Sequence, residues 1–122
     1  MEKKKYYGYS GLEKFNYWEY DLEIRTSDGQ LSLSKYLGKD KVVHIPSDIV
    51  GKKITKITRK SFQDNKYVKI IILTEGITEI EQEAFKGTKN VVLYTAYEKD
   101  ECNFDHVEHV TVRYGLNELV SI

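Results

Sequence analysis

The residues with the most reactive side chains lie close together in the last quarter of the chain: Cys102, Asp105, His106, Glu108 and His109. Thiolate and imidazole groups are the donors that zinc prefers, and a structural zinc site needs four ligands in tetrahedral geometry. Cys102, His106 and His109 would supply three, at a spacing that is not typical of zinc sites. We therefore interpret this stretch as a polar loop and predict no metal and no cofactor.

The same stretch is the best candidate for nucleophilic catalysis. A cysteine nucleophile needs a histidine base held beside it in a cleft, and the short repeats described below offer no deep cleft for Cys102 and His106. The chain also contains no Gly-x-Ser-x-Gly motif, no P-loop and no Gly-x-Gly-x-x-Gly motif. We predict no catalytic residues and expect that the protein is not an enzyme.

Composition limits the classes of partner. The 122 residues carry 19 basic and 19 acidic side chains. The chain therefore has no net positive charge that would attract nucleic acid or an acidic membrane. The single cysteine cannot form an internal disulfide, and no apolar run is long enough for a signal peptide or a membrane span. We expect a cytoplasmic protein as the sequence is written, or an extracellular one if it was shortened from a secreted chain.

A repeat of 23 positions organises the middle of the chain. The equivalent pairs are Ile54 and Ile77, Ile57 and Ile80, Phe62 and Phe85, and Val68 and Val91. A fixed period of this length predicts a solenoid, in which each coil buries its apolar face by stacking on the next. We expect the two phenylalanine rings to fill the core in successive coils, each within a single helical or 3₁₀ turn. One strand per coil should pair in parallel along one face.

The two ends of the chain have different patterns. Apolar and charged residues alternate from 18 to 25, and Leu31 and Leu33 alternate with serines after an Asp-Gly turn. This predicts an N-terminal β-hairpin cap. Alternation from 109 to 114 predicts a final strand that caps the C-terminal end. We expect one domain, 1–122, with an aromatic segment and hairpin at 1–37, repeats at 38–96 and the C-terminal cap at 97–122.

Residues 68–73 with Ile77, Ile80, Ala84 and Phe85 resemble the repeat unit of the BspA-type leucine-rich repeat family. The residues around Val43 to Pro46, Gly51-Lys52 and Phe62 resemble its entry repeat. The resemblance implies a short, strand-rich α/β-type solenoid, right-handed, with about three coils. It also implies protein binding, because many members are bacterial surface proteins that attach to host proteins or cells.

The predicted strands assign side chains to two faces. Val43, Ile45, Ile71 and Leu73 should point into the core, which leaves Val42, His44, Ile70 and Ile72 on the outer face of the sheet. Exposed neighbouring aliphatic side chains are typical of an interface. The predicted partner-binding residues are Val42, His44, Ile70, Ile72, Tyr17 and Trp18. The N-terminal aromatic segment, a second copy of the chain or a foreign protein could each cover Ile70 and Ile72.

These patterns predict a non-catalytic protein–protein interaction module that binds another protein through the sheet face. A narrower hypothesis is a small inhibitor of a host protein, of the phage or mobile-element type. The alternatives are a self-assembling structural protein, which would form a homodimer through Ile70 and Ile72, and a fragment of a bacterial surface adhesin.

Overall fold

The computed structural model describes residues 14–27, 29–49, 51–73 and 76–115. These ranges are rich in short strands and contain a single 3₁₀ turn, Trp18–Tyr20, and no α-helix. None of their helical segments is long and apolar enough to cross a membrane. The strands are β1 Lys14–Tyr17, β2 Leu22–Ser27, β3 Gln30–Tyr36, β4 Val42–Ile45, β5 Asp48–Ile49, β6 Lys52–Ile57, β7 Ile70–Leu73, β8 Glu79–Ile80, β9 Val91–Thr95 and β10 Val110–Arg113. They form a solenoid of about three turns.

One side of the solenoid is a sheet of four strands, β10-β9-β7-β4, which we name the parallel sheet. All three of its strand pairs are parallel. Parallel neighbours need a long crossover connection, and here each crossover is a coil of the solenoid. The prediction that each coil contributes one strand to a common face is confirmed, and so is the final strand of the C-terminal cap.

The other side is a sheet in which both orientations occur, which we name the mixed sheet. Strands β1, β2 and β3 are antiparallel neighbours, and β3, β6 and β8 then pair in parallel, one from each coil. The predicted hairpin around residues 28 and 29 is confirmed as β2 and β3. The register of the strand pairs from β1 to β8 places one row of side chains inside the core. The buried row is Phe15, Ile24, Leu33, Ile57 and Ile80.

A column of aromatic rings runs through the core between the two sheets. Phe62 and Phe85 are stacked, with ring centroids 5.0 Å apart and planes inclined by 11°, as the repeat predicts. Tyr36 extends the column, because its ring centroid lies 5.4 Å from that of Phe62. The surrounding turns bond to one another through the backbone: Tyr36 donates to the Ser61 carbonyl, and Phe62 to the Ala84 carbonyl, both at 2.9 Å.

The sequence period does not hold in the parallel sheet. Val68 and Val91 are both buried, as expected, but the ladder pairs Ile71 with Leu93, 22 positions later. The mixed sheet keeps the 23-residue period, because it pairs Ile57 with Ile80. The connection from the phenylalanine to the strand is therefore one residue shorter in the second repeat. The uniform 23-residue register was wrong for these strands.

The predicted strand from 18 to 25 is confirmed for residues 22–25, which belong to β2, and was wrong for residues 18–21. The chain instead forms the 3₁₀ turn at Trp18–Tyr20, and Asp21 then adopts a left-handed backbone with φ of 56°. This turn reverses the chain, so that β1 pairs antiparallel with β2, with Tyr17 opposite Leu22. The aromatic alternation that suggested a strand spans a reversal of direction. Most of the N-terminal aromatic segment, residues 1–13, lies outside the described residues.

The C-terminal cap is held by a polar clasp around Asp105. Lys99 Nζ lies 2.6 Å from the Asp105 carboxylate, and the Tyr114 hydroxyl donates to the same carboxylate at 2.8 Å. The backbone N–H of Phe104 donates to the Tyr114 hydroxyl, also at 2.8 Å. The bonds from Lys99 and Tyr114 lower the pKa of Asp105, while burial and the Asp105 carboxylate raise the pKa of Tyr114. The clasp ties the loop before β10 to the residue that follows it.

Candidate partner-binding face

The inner face of the parallel sheet belongs to the core. Val43, Ile45, Ile71 and Leu73 are all buried members of the main hydrophobic cluster. Side chains of a strand alternate between the two faces, so the intervening residues must lie on the outside. The predicted division of β4 and β7 into inward and outward side chains is confirmed for these four residues.

Strand register arranges the outer face in two rows that cross all four strands. The first row is Val42, Ile70, Val92 and Thr111. The second row is His44, Ile72, Tyr94 and Arg113. The first row is aliphatic over three strands, whereas the second carries two ring side chains and a guanidinium group. The outer face therefore offers an apolar stripe beside a stripe that can form hydrogen bonds.

Exposure differs along these rows. Val42 is 43% exposed, His44 is exposed and Ile70 is half-buried. Ile72 is only 5% exposed, although it is not a member of the core cluster. The prediction that Ile72 is an exposed side chain was wrong. Its position explains this, because β7 is an interior strand and the register flanks Ile72 on both sides, with His44 on β4 and Tyr94 on β9.

Tyr17 and Trp18, the other two predicted contact residues, lie in a different part of the fold. Both are half-buried, at the end of β1 and in the 3₁₀ turn. The Tyr17 ring packs against the core, and its hydroxyl donates to Glu19 at 3.3 Å. Burial and the Glu19 charge raise the pKa of Tyr17. These two residues stand in the mixed sheet and its turn rather than in the parallel sheet.

The 3₁₀ turn nevertheless reaches the outer face through residues that the sequence did not single out. A cavity of about 360 Å³ opens where this turn meets β4. Its lining residues are Glu19, Tyr20, Asp21, Tyr36, Asp40, Val42, Val43 and His44. Two of the predicted contact residues therefore border a cavity with three carboxylates. No sequence signal pointed to it, because residues 18–21 were predicted to continue a strand.

The reactive residues of the C-terminal cap have structural partners in the neighbouring coil. The Cys102 thiol donates to the Thr78 carbonyl at 3.3 Å, and His106 Nε2 lies 2.6 Å from the Ile80 carbonyl oxygen. Burial raises the pKa of the Cys102 thiol, which opposes formation of the thiolate. Within the described part of the chain, no three Cys, His, Asp or Glu side chains are placed to hold a metal ion. These contacts attach the cap to the last repeat.

We expect the cap to fold without zinc. A structural zinc site makes stability depend on the metal, because the binding free energy contributes to folding. The thermal unfolding midpoint should therefore be the same in buffer containing a strong chelator and in buffer containing added zinc. Differential scanning calorimetry measures this directly, with a known zinc finger as the positive control. A fall of many degrees in the chelator would contradict the assignment of Cys102 and His106 as structural residues.

Comparison with known proteins supports the fold. No protein-family model matches the chain, and no curated protein matches it. Three solved bacterial structures are similar. The chain is 17% identical to a leucine-rich repeat protein of T. pallidum, with a TM-score of 0.57 over 75% of this chain and 47% of that one. It is 9% identical to a leucine-rich repeat protein of Bacteroides capillosus, with a TM-score of 0.55 over 84% of this chain and 99% of that one.

A leucine-rich cell surface protein of Faecalibacterium prausnitzii is also 17% identical, with a TM-score of 0.50 over 77% of this chain and 30% of that one. The chain thus spans less than half the length of two of these three proteins. At such low identity the likeness concerns the fold alone, and the narrower BspA-type assignment stays a prediction. The parallel strands, the stacked coils and these three likenesses together show that the chain has the fold of a leucine-rich repeat solenoid.

Proposed function

We propose that the chain is a non-catalytic protein-binding module whose partner contacts the outer face of the parallel sheet. The observation that carries this proposal is the aliphatic row of Val42, Ile70 and Val92, which lies outside the core cluster. Burial of apolar surface contributes about 25 cal/mol per Å². A partner that covers this row gains that free energy on a surface that stacked coils already hold in place.

The polar groups beside the apolar row favour a protein partner over a lipid surface. His44 and Tyr94 in the second row can accept and donate hydrogen bonds, and Arg113 adds a charge at the far edge. Polar groups around an apolar centre are the usual arrangement of a protein interface. They determine which partner binds and in which orientation, while the aliphatic row supplies most of the affinity.

A narrower form of the proposal is a small inhibitor of a host protein that uses the same face. The alternative is a surface or adhesive role, which the F. prausnitzii cell surface protein with the same fold supports. Self-association is the third form, in which the aliphatic rows of two copies cover each other.

A pair of charged substitutions tests the proposal. Val42→Glu with Val92→Glu places two carboxylates in the aliphatic row, and both side chains are at least partly exposed, so the fold should persist. The matched control is Thr78→Glu, at an exposed position outside the parallel sheet. Proteins captured from the source cells by the unmodified chain are identified first. Their affinities for the three purified chains are then measured by calorimetry.

We expect the double variant to weaken partner binding at least about tenfold, a loss of about 1.4 kcal/mol, and the control to leave it unchanged. Light scattering distinguishes self-association from binding of a foreign protein. If the chain self-associates through this face, the unmodified chain is a dimer and the double variant is a monomer. Partner binding that survives the double variant, in a chain that is monomeric throughout, would refute the outer face as the binding surface.

A further inference from the structure

A second surface, on the mixed sheet, gathers positive charge in a chain that has no net charge. A cavity of about 470 Å³ opens there, on the opposite side of the fold from the parallel sheet's outer face. Its lining residues are Arg25, Ser34, Lys56, Thr58, Arg59, Lys60 and Glu81. Four cations and one carboxylate therefore share the cavity with two hydroxyl groups.

Strand register brings these cations together. Arg25 on β2 lies opposite Ser32 on β3, which in turn lies opposite Lys56 on β6. Neighbouring strands are about 4.8 Å apart, so the backbones of Arg25 and Lys56 lie about 10 Å apart, with Ser32 between them in the sheet. Arg59 and Lys60 follow in the turn directly after β6. The uncharged residues that line the cavity, Ser34 and Thr58, have short side chains, which leaves room for a ligand.

The carboxylates of this region are already engaged. Lys56 Nζ lies 3.3 Å from Glu79 and 3.6 Å from Glu81, and the backbone N–H of Arg59 donates to Glu81 at 2.6 Å. Glu23, next to the cavity, accepts from Ser34 at 2.9 Å and lies 3.5 Å from Lys14. Glu79 and Glu81 share the single positive charge of Lys56, and Glu23 is paired with Lys14, so these five groups keep one negative charge against the three positive charges of Arg25, Arg59 and Lys60.

Three of the cations have no such partner among the described residues. Across the part of the chain that the structure describes, no carboxylate lies within ion-pair distance of the side chains of Arg25, Arg59 or Lys60. Arginine presents a planar fork of donors that fits two oxygens of one anion, and lysine adds a point charge. Two forks and one ammonium group offer more donors than a single carboxylate can accept, whereas a tetrahedral oxyanion can bond to all three.

We propose that this cavity binds a phosphate or sulfate group through Arg25, Arg59 and Lys60. The Thr58 and Ser34 hydroxyls line the cavity but already donate, Thr58 to the Leu33 carbonyl and Ser34 to Glu23. The three cations therefore carry the binding. This site is independent of the partner-binding face, because it uses the other sheet and a different kind of interaction.

Amide chemical shifts in ¹⁵N-labelled protein test the site, with inorganic phosphate added at constant ionic strength against chloride. We expect saturable shifts centred on residues 58–60. The variant Arg25→Gln with Arg59→Gln should weaken phosphate binding at least about tenfold. The matched control, Lys66→Gln with Lys86→Gln, removes two exposed cations outside the cavity and should change the affinity less than about twofold. Unsaturable shifts that spread over all lysine-rich surfaces, and that are equal in both variants, would overturn the proposal.

A second experiment, with peptides, distinguishes free phosphate from phosphate carried by a peptide. A phosphoserine peptide and the same peptide without phosphate are titrated in the same way. If the phosphopeptide binds about tenfold more tightly than inorganic phosphate, the group is carried by a peptide. If the two bind equally, the site takes free phosphate. A peptide that binds equally with and without its phosphate would contradict an oxyanion site. The phosphate and peptide titrations do not depend on the result of the Val42→Glu, Val92→Glu test of the partner-binding face.

Discussion

Replacing Phe62 by alanine is expected to lower the free energy of unfolding by about 3–5 kcal/mol. Phe62 is 1% exposed and stands in the middle of the aromatic column, between Tyr36 and Phe85. Alanine would remove ring contacts on both sides and leave a cavity between two coils. Neither neighbouring coil can close that cavity without breaking the hydrogen bonds that join the turns.

Equilibrium unfolding in urea measures this loss. The control is Tyr67→Ala, because Tyr67 is 49% exposed and its removal should cost less than about 1 kcal/mol. Phe85→Ala, at the equivalent position of the next coil, should cost a similar amount to Phe62→Ala. A loss below about 1 kcal/mol at Phe62 would contradict the role of the aromatic column in holding the coils together.

Replacing Gly87 by alanine is expected to lower the free energy of unfolding by about 2–4 kcal/mol. The loss has two sources, backbone strain and a steric clash. Gly87 has a φ of +87°, a left-handed backbone that a side chain disfavours. A Cβ there would also come within 3.0 Å of the Asp64 backbone nitrogen and Cα. Asp64 occupies the equivalent turn one repeat earlier, and its N–H donates to the Lys86 carbonyl at 2.8 Å. The substitution would therefore push two successive coils apart.

Gly51→Ala separates the two sources. Gly51 has a similar φ of +79°, but a Cβ there would meet nothing within 4 Å. The free energy of unfolding of Gly51→Ala should therefore fall by about 1–2 kcal/mol, which is the cost of the left-handed backbone alone. Urea unfolding of the two variants side by side gives the difference, which we expect to be at least about 1 kcal/mol. Equal losses would show that the coils do not approach as closely at Gly87 as the structure indicates.

The sequence alone determined the architecture, because the repeat and the alternation are both visible in one dimension. Apolar side chains 23 positions apart can be buried only by stacking, which predicted the solenoid, the paired phenylalanines and the parallel strands. Alternation within β3 and β10 predicted strands without any knowledge of their neighbours. The inward orientation of Ile71 and Leu73 followed from the same alternation.

The tertiary structure decided how the coils meet one another. Tyr36 extends the aromatic column although its spacing from Leu31 and Leu33 differs from that of the later repeats, so the repeat gave no signal for it. Strands β7 and β9 of the parallel sheet pair with a 22-residue register because the connection before β9 is one residue shorter, and pairing between strands tolerates that difference in loop length.

Exposure and the two candidate sites also depended on the tertiary structure. Ile72 is buried because of what flanks it across the sheet, which no pattern within its own strand records. Arg25 and Arg59 share a cavity because β3 and β6 bring together segments more than 30 positions apart. Periodicity along the chain reports which face a side chain occupies, whereas its neighbours on that face are set by contacts between coils.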